Sequence, residues 1–144
     1  MTGTGVDLID LGSGAGFPGL PIKIYAPSLS LTLIESNHKK ATFLREVIRA
    51  LTLTNINVFG GRAESFPGAA AIATLRAVEK PHQALAAAAR LVRPGGRLAL
   101  LLGAAQANEL PSLLLGFYWD APLALPGSSS RGLLIGSRNE RESE

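Results

Sequence analysis

Two repeating patterns of apolar positions alternate along most of the chain. Short apolar runs bounded by glycine, proline or polar residues predict β-strands, and apolar positions three or four residues apart predict amphipathic helices. The clearest helix covers 36–51, with either Ser36 or Asn37 as its N-cap. Its apolar face comprises Ala41, Leu44, Val47, Ile48 and Leu51.

The remaining elements follow from the same patterns. Strands are predicted over 6–11, 30–35, 56–59, 71–75, 97–102, 118–125 and 132–136. Further helices are predicted over 20–25, 80–91 and 106–115, the last of them weakened by Pro111. This alternation predicts an α/β fold with a mostly parallel twisted sheet, and the final strand pair predicts one antiparallel edge strand. The 144 residues suit a single domain over 1–138 and a polar tail over 139–144.

The composition excludes several kinds of site. The chain has no cysteine, which rules out disulfides and thiolate chemistry and fits a reducing cytoplasm. His38 and His82 have no second ligand at a useful spacing, so no metal site is predicted. No apolar run is long enough to span a membrane, and the net charge of +3 fits an anionic partner. We therefore expect a cytoplasmic protein, monomeric unless uncovered apolar surface drives self-association.

The sequence "GSGAGFPG" at 12–19 joins the first strand to the first helix. In a doubly wound sheet this turn meets the ligand, because glycines allow close backbone approach and the helix N-terminus offers free N–H groups. The stretch reads as G-x-G-x-G from Gly12 or as the dinucleotide pattern G-x-G-x-x-G from Gly14. Either match indicates a nucleotide-like ligand without identifying it.

Two carboxylates narrow the choice of ligand. Asp10 ends the first strand, where it would repel a pyrophosphate and could receive a positive group of the ligand. Glu35 ends the second strand, where a carboxylate can accept hydrogen bonds from both ribose hydroxyls of an adenosine. Glu35 serves NAD and S-adenosyl-L-methionine equally. An ordinary glycine-rich loop, with Asp10 as a cap, is the alternative to any ligand site.

Several motifs share their order and spacing with one enzyme family. They are "DLGSGAGFPGLP", "LIESNHKKATFLREV", "GRAE", "LRAV" and "LVRPGG". Together they resemble the bacterial small-subunit rRNA guanine-N7 methyltransferase family, RsmG or glucose-inhibited division protein B, over 6–103. The resemblance implies a Rossmann-like methyltransferase fold, S-adenosyl-L-methionine as cofactor, and a guanine of 16S rRNA in the small ribosomal subunit as substrate.

The resemblance also implies roles for individual residues. Gly12 and Phe17 would line the cofactor, Ala63 and Glu64 would lie near its adenine, and Glu35 would hold the ribose. Arg76 would lie at the methionine end or the target base, and it is the one candidate for a part in catalysis. With the turn, the predicted cofactor contacts are Asp10, Gly12, Ser13, Gly14, Gly16, Phe17, Glu35, Ala63, Glu64 and Arg76.

Four cations are predicted to contact RNA. Lys39, Lys40 and Arg45 form a basic flank on the 36–51 helix, and Arg62 lies near the end of the third strand. Phosphate contact is the functional interpretation of this flank. A solvated helix face is the alternative interpretation.

Methylation at guanine N7 demands little acid–base chemistry. The nitrogen has a free lone pair and loses no proton, so positioning suffices and no catalytic base is predicted.

The chain differs from the family pattern in three places. It lacks a helical segment before the first strand, alanines replace an aspartate that opens the fourth strand, and Leu102-Gly103 replaces a Lys-Gly pair. The last two changes are expected to remove polar groups near the active site.

These departures leave two alternative functions. One is a fragment or diverged relative that binds the cofactor without catalysis. The other is an NAD-linked oxidoreductase. Asp10 argues against it, because a carboxylate just before the turn would repel the pyrophosphate of NAD.

Overall fold

The structure is a computed structural model that describes residues 5–76, 81–103, 109–127 and 131–140. In these residues the strands are β1 (Asp7–Leu11), β2 (Ser30–Ile34), β3 (Ile56–Phe59), β4 (Ala70–Arg76), β5 (Val92–Gly103), β6 (Phe117–Trp119), β7 (Leu123–Ala124) and β8 (Arg131–Arg138). The helices are α1 (Gly19–Tyr25), α2 (His38–Ala50) and α3 (Pro81–Arg90), with short 3₁₀ turns at Ala63–Ser65 and Leu110–Leu113. No helix in these ranges has the length and apolar character that crossing a bilayer requires.

The strands form one sheet in the order β3-β2-β1-β4-β5-β8-β6, with β7 paired to β8. Strands β1 to β5 are parallel, and the antiparallel strand β8 lies between β5 and the edge strand β6. The strand order reverses between β1 and β4. Ligands of open α/β sheets bind in the crevice at such a switch point, beyond the carboxyl ends of the strands.

Alternating side chains of the sheet build two apolar layers. Leu8 of β1 packs with Leu20 of α1 and Leu44 of α2 on one face. On the other face, Ile9 of the same strand packs with Leu85 of α3 and with Leu91, the residue that follows α3. Because the parallel strands are covered on both faces, they read as nearly continuous apolar runs. Helix α2 begins as predicted, with Asn37 as its N-cap and the Asn37 side chain accepting a hydrogen bond from the Lys40 N–H at 3.0 Å.

Three predicted elements differ in the structure. Strand β5 begins at Val92 because the "RPGG" stretch is extended, with a register shift against β4 between Ala70 and Ile72. The predicted strand over 118–125 is divided into β6 and β7, separated by a segment that contains Pro122, which has no N–H for a sheet ladder.

The third difference is the predicted helix over 106–115. Within the described residues Glu109 is α-helical and the 3₁₀ turn Leu110–Leu113 follows it, so the helix ends before 115, where Pro111 has no N–H to donate. Positions 106–108 of that prediction lie outside the described residues, as do Lys80 of the predicted third helix and 141–144 of the predicted tail.

Candidate functional site

The glycine turn after β1 requires glycine at specific positions. Gly14 has φ +60°, and a Cβ there would lie 3.4 Å from a guanidinium nitrogen of Arg76. Gly16 has φ +99°, and a Cβ there would lie 2.4 Å from Cδ1 of Leu20, closer than real contacts allow. Side chains at these two positions would therefore strain the backbone or displace its neighbours.

Asp10 holds this turn from beneath. The side chain is 0% exposed, and Oδ2 accepts hydrogen bonds from the Gly19 N–H at 3.0 Å and the Ser13 hydroxyl at 2.8 Å. Oδ1 accepts a third from the Thr74 hydroxyl of β4 at 2.7 Å. Burial raises the pKa of Asp10, and these hydrogen bonds together with the nearby Arg76 charge oppose that rise.

The burial of Asp10 corrects one sequence prediction. The sequence predicts that Asp10 receives a positive group of the ligand, but its carboxylate lies inside the protein and binds the turn itself. Ser13 is also 0% exposed, with its hydroxyl directed to Asp10. Both residues thus shape the site from below, because the strand-end carboxylate satisfies donors that a buried turn would otherwise leave unpaired.

Glu35 joins the turn to the end of β2. It is 7% exposed, with Oε1 accepting from the Gly14 N–H at 2.8 Å and Oε2 accepting from the Asn37 N–H at 2.9 Å. The carbonyl of Ile34, one residue earlier, accepts from the N–H groups of Gly12 and Ser13 at 2.9 and 3.2 Å. The carboxyl ends of β1 and β2 therefore form one hydrogen-bonded unit.

A cavity of about 280 Å³ opens beside this unit, at the carboxyl ends of the strands. Its floor is formed by the strand ends Leu11, Ile34 and Leu75 together with Gly12, and Ser36 lies at its edge. The 61–64 loop forms one wall, and α3 forms another. The structure therefore brings Gly12, Ala63 and Glu64 together at one cavity, with Glu35 directly after the lining residue Ile34.

Of the other predicted residues, Arg62 lines the cavity, whereas Phe17, Arg76, Lys39 and Lys40 lie outside its lining. Phe17 is 52% exposed on the turn, and Arg76 lies beside Gly14 at the end of β4. Arg62, predicted as an RNA contact, instead lines the cavity, and its Nε lies 3.6 Å from Glu64 Oε2. Lys39 and Lys40 are exposed on the first turn of α2.

Arg45 is also exposed, one turn further along α2. Its guanidinium reaches the Val58 carbonyl at 3.5 Å. All three α2 cations are thus exposed on the first two turns of the helix that follows Glu35.

The alanines that open β4 are far from the cavity. Ala70 and Ala71 lie at the amino end of β4, where the Ala71 N–H donates to Asp7 Oδ1 at 2.9 Å. The parallel strands carry the cavity at their opposite ends. The expectation that these alanines remove a polar group near the active site is therefore wrong. Leu102-Gly103, in contrast, lies at the carboxyl end of β5.

Sequence reasoning missed the contribution of α3. Gln83, Ala84 and Ala87 line the cavity from one face of that helix, and Arg90 at its end bonds the 3₁₀ turn that carries Ala63 and Glu64. The alanine-rich pattern predicts the helix but carries no sign of a ligand. Only the packing of α3 against β4 and β5 brings it to the cavity.

Comparisons with known proteins give a consistent picture. The profile of one family, described as rRNA small subunit methyltransferase G, matches residues 2–114. A protein named ribosomal RNA small subunit methyltransferase G from Xanthomonas campestris pv. campestris (strain B100) is 41% identical over 134 residues, covering 89% of this chain and 62% of that protein. One of the same name from Chloroflexus aggregans is 39% identical over 142 residues, covering 90% and 60%. The chain spans about three fifths of the length of these relatives.

Solved structures confirm the predicted fold. The crystal structure of TrmN from Thermus thermophilus matches with a TM-score of 0.76 at 20% identity, covering 93% of this chain and 44% of that one. A SAM-dependent methyltransferase from Aquifex aeolicus matches with a TM-score of 0.76 at 16% identity, covering 92% and 82%. The architecture is thus the Rossmann-like methyltransferase fold, with a mostly parallel sheet.

Proposed function

This chain belongs to the rRNA small subunit methyltransferase G family, and we propose on that premise that it transfers a methyl group from S-adenosyl-L-methionine to N7 of a guanine in 16S rRNA. The observation that carries the proposal is that the glycine turn and Glu35 contact each other beside one cavity. The Glu35 carboxylate bonds the Gly14 N–H of the glycine turn, and the cavity opens beside both. The substrate is the RNA itself or the small ribosomal subunit, and the reaction takes place in the cytoplasm.

The cavity fits the adenosine half of the cofactor. Its volume of about 280 Å³ lies near the lower bound of small-molecule pockets, and its floor of Leu11, Ile34 and Leu75 is apolar enough for a purine ring. We place the adenine against Ala63 and Glu64 of the loop wall. Glu64 supplies a carboxylate acceptor at that wall, and its neighbours supply backbone groups.

Glu35 supplies the ribose contact. Each of its carboxylate oxygens accepts one backbone N–H, and an oxygen of this kind has a second lone pair. Two acceptor positions therefore remain for two hydroxyl donors. An acidic residue that ends the second strand is the usual partner of an adenosine ribose in this architecture.

The methionine half extends along the glycine turn towards Arg76. The guanidinium of Arg76 lies beside Gly14, where it can pair with the carboxylate of the amino acid. Phe17, half exposed on the same turn, supplies an apolar surface beside it. Asp10 and Ser13 contribute through the shape of the turn that they hold.

The reaction needs few groups from the protein. The bound cofactor supplies a methyl group on a sulfonium sulfur, which the N7 lone pair displaces with no proton to remove. The chain therefore has to bind both partners, align them and exclude water. Asp10, buried beneath the turn, has no proton to accept in this scheme and keeps its structural role.

The exposed cations of α2 support contact with RNA. Lys39, Lys40 and Arg45 lie on the first two turns of the helix that follows Glu35, so they flank the proposed cofactor site. Arg62 lies at the cavity wall on the neighbouring loop. Cations in these places can neutralise phosphates on both sides of a target base.

Calorimetric titration of the chain with S-adenosyl-L-methionine, with NAD as the control ligand, tests the cofactor. Saturable binding of the methyl donor alone supports the proposal, and binding of NAD alone contradicts it. Transfer is then measured with radiolabelled cofactor on small subunits that lack N7 methylation, and the product is located by borohydride and aniline cleavage. Cofactor binding without transfer would indicate a binding protein instead of an enzyme.

A further inference from the structure

Arg90 links two walls of the cavity. It is the last residue of α3, and its Nη2 donates to the Ala63 carbonyl at 2.7 Å and to the Phe66 carbonyl at 3.1 Å. Ala63 lines the cavity, and Ala87, one helical turn before Arg90, lines it from the other side. One guanidinium therefore bonds the end of α3 directly to the 3₁₀ turn.

Apart from Arg90, the 3₁₀ turn is held by partial apolar packing, because Ala63 and Phe66 pack against the core that includes Ala87 of α3. None of its residues is buried, and its internal hydrogen bonds are those of a single turn, Ser65 N–H to the Arg62 carbonyl and Phe66 N–H to the Ala63 carbonyl. Phe66 packs edge to face on Phe59 at 5.2 Å between ring centroids. A segment without a fully buried residue depends on partial packing and on polar contacts, so the loss of a polar contact should make it open more easily.

We infer that Arg90 is a positioning residue for the adenosine pocket, because it holds the Ala63–Glu64 wall at a fixed distance from α3. The inference rests on the proposed function, since the wall matters only if a ligand enters between it and α3. Arg90 touches no reacting atom. It acts through the backbone carbonyls of Ala63 and Phe66.

A purely structural role for Arg90 makes a different prediction. A cation at a helix C-terminus stabilises the helix through its dipole, and that effect would lower stability without changing ligand affinity. Arg93 offers a matched control. It also bonds a backbone carbonyl, that of Ala69 at 3.2 Å, but it pairs with Asp7 at the opposite end of the sheet from the cavity.

The test compares Arg90→Ala, Arg90→Lys and Arg93→Ala with the wild-type chain. Calorimetry gives the affinity for S-adenosyl-L-methionine and for 5′-methylthioadenosine, which keeps the adenosine and the methylthio group but lacks the amino-acid part. Thermal unfolding gives stability, and hydrogen exchange gives the protection of the 62–66 amides. Losing the hydrogen bonds of this exposed guanidinium should weaken both ligands by about tenfold in Arg90→Ala. Arg90→Lys should recover part of the loss, and Arg93→Ala should lower stability alone.

Distinct results overturn the inference. Unchanged affinity and unchanged 62–66 exchange in Arg90→Ala would reduce Arg90 to a helix-end cation. A loss confined to S-adenosyl-L-methionine, with 5′-methylthioadenosine unaffected, would place the effect outside the adenosine pocket. If Arg90→Ala does not fold, Arg90→Lys decides, and affinity equal to wild type at lowered stability would contradict the inference. Failure of the wild-type chain to bind either ligand would overturn the proposed function, and the inference with it.

Discussion

Replacing Glu35 by glutamine keeps the size of the side chain but removes its charge and one acceptor. The wild-type carboxylate accepts the Gly14 N–H at 2.8 Å and the Asn37 N–H at 2.9 Å while only 7% exposed. The side chain of glutamine ends in one oxygen, which accepts, and one NH₂ group, which donates. The NH₂ group must therefore face one of the two backbone N–H donors, where no hydrogen bond can form. One charge-assisted hydrogen bond is lost and the other becomes a neutral bond.

The structure sets the size of the expected effects. A hydrogen bond to a charged group contributes about 1.5–3 kcal/mol, so Glu35→Gln should lower the free energy of unfolding by about 2–3 kcal/mol. For a chain of this size that corresponds to a fall of roughly 5–10 °C in Tm. The loss of an acceptor for the ribose should weaken cofactor binding by about 1–3 kcal/mol, which is roughly 5- to 150-fold.

The assay must separate these two effects. Urea unfolding measures the free energy of unfolding, and calorimetric titration with S-adenosyl-L-methionine measures the affinity for the cofactor. Asn37→Ala is the matched control, because it removes the side-chain cap of α2 next to Glu35 and leaves the carboxylate in place. It should cost about 1 kcal/mol of stability and leave affinity unchanged. Wild-type affinity in Glu35→Gln would refute the ribose contact, and equal affinity losses in both variants would attribute the effect to a loosened turn.

Three further predictions concern other parts of the fold. Gly14→Val should abolish cofactor binding in calorimetry, because φ +60° excludes a β-branched residue, and retained binding would place the ligand elsewhere. The hydrogen bond from Arg93 lowers the pKa of Asp7, so this stabilisation is present above the unfolded value of 3.8 and is lost as pH falls through the folded pKa. In Asp7→Asn the free energy of unfolding, measured with urea at several pH values, should therefore fall less towards acid pH than in the wild-type chain. An unchanged fall at acid pH would contradict this prediction. Lys39→Ala should reduce the salt slope of RNA binding by about 0.7–0.9, and an unchanged slope would remove Lys39 from the interface.

The elements that sequence reasoning predicted correctly are those with a local cause. Helix α2 has a cap, Asn37, and an apolar face at regular spacing, so its start and its orientation follow from adjacent residues. Glu35 could be placed beside the glycine turn because both follow parallel strands, and parallel neighbours end at the same edge of a sheet. The Gly14–Glu35 bond confirms that they are adjacent.

The features that sequence reasoning missed depend on distant partners. Asp10 is buried on β1 between β2 and β4, and its carboxylate accepts a hydrogen bond from Thr74, far along the chain on β4. Arg90, in the connection between β4 and β5, bonds Ala63 in the connection between β3 and β4. Neither contact leaves a periodic signal in the residues near it. The same applies to the start of β4, whose alanines lie at the amino edge of the sheet once the strand direction is known.

The two strand-end carboxylates, Asp10 and Glu35, bond different parts of the same turn. Asp10 bonds the Ser13 hydroxyl and the Gly19 N–H from below, and Glu35 bonds the Gly14 N–H from the side. The turn is therefore ordered by the protein before any ligand arrives, and binding need not supply the free energy to order it. A substitution at Asp10 should consequently lower stability and affinity together, because it loosens the turn. A substitution at Glu64, which lies at the cavity wall and bonds none of the turn, should lower affinity alone. Measuring both quantities for each variant separates the residues that build the site from those that face its ligand.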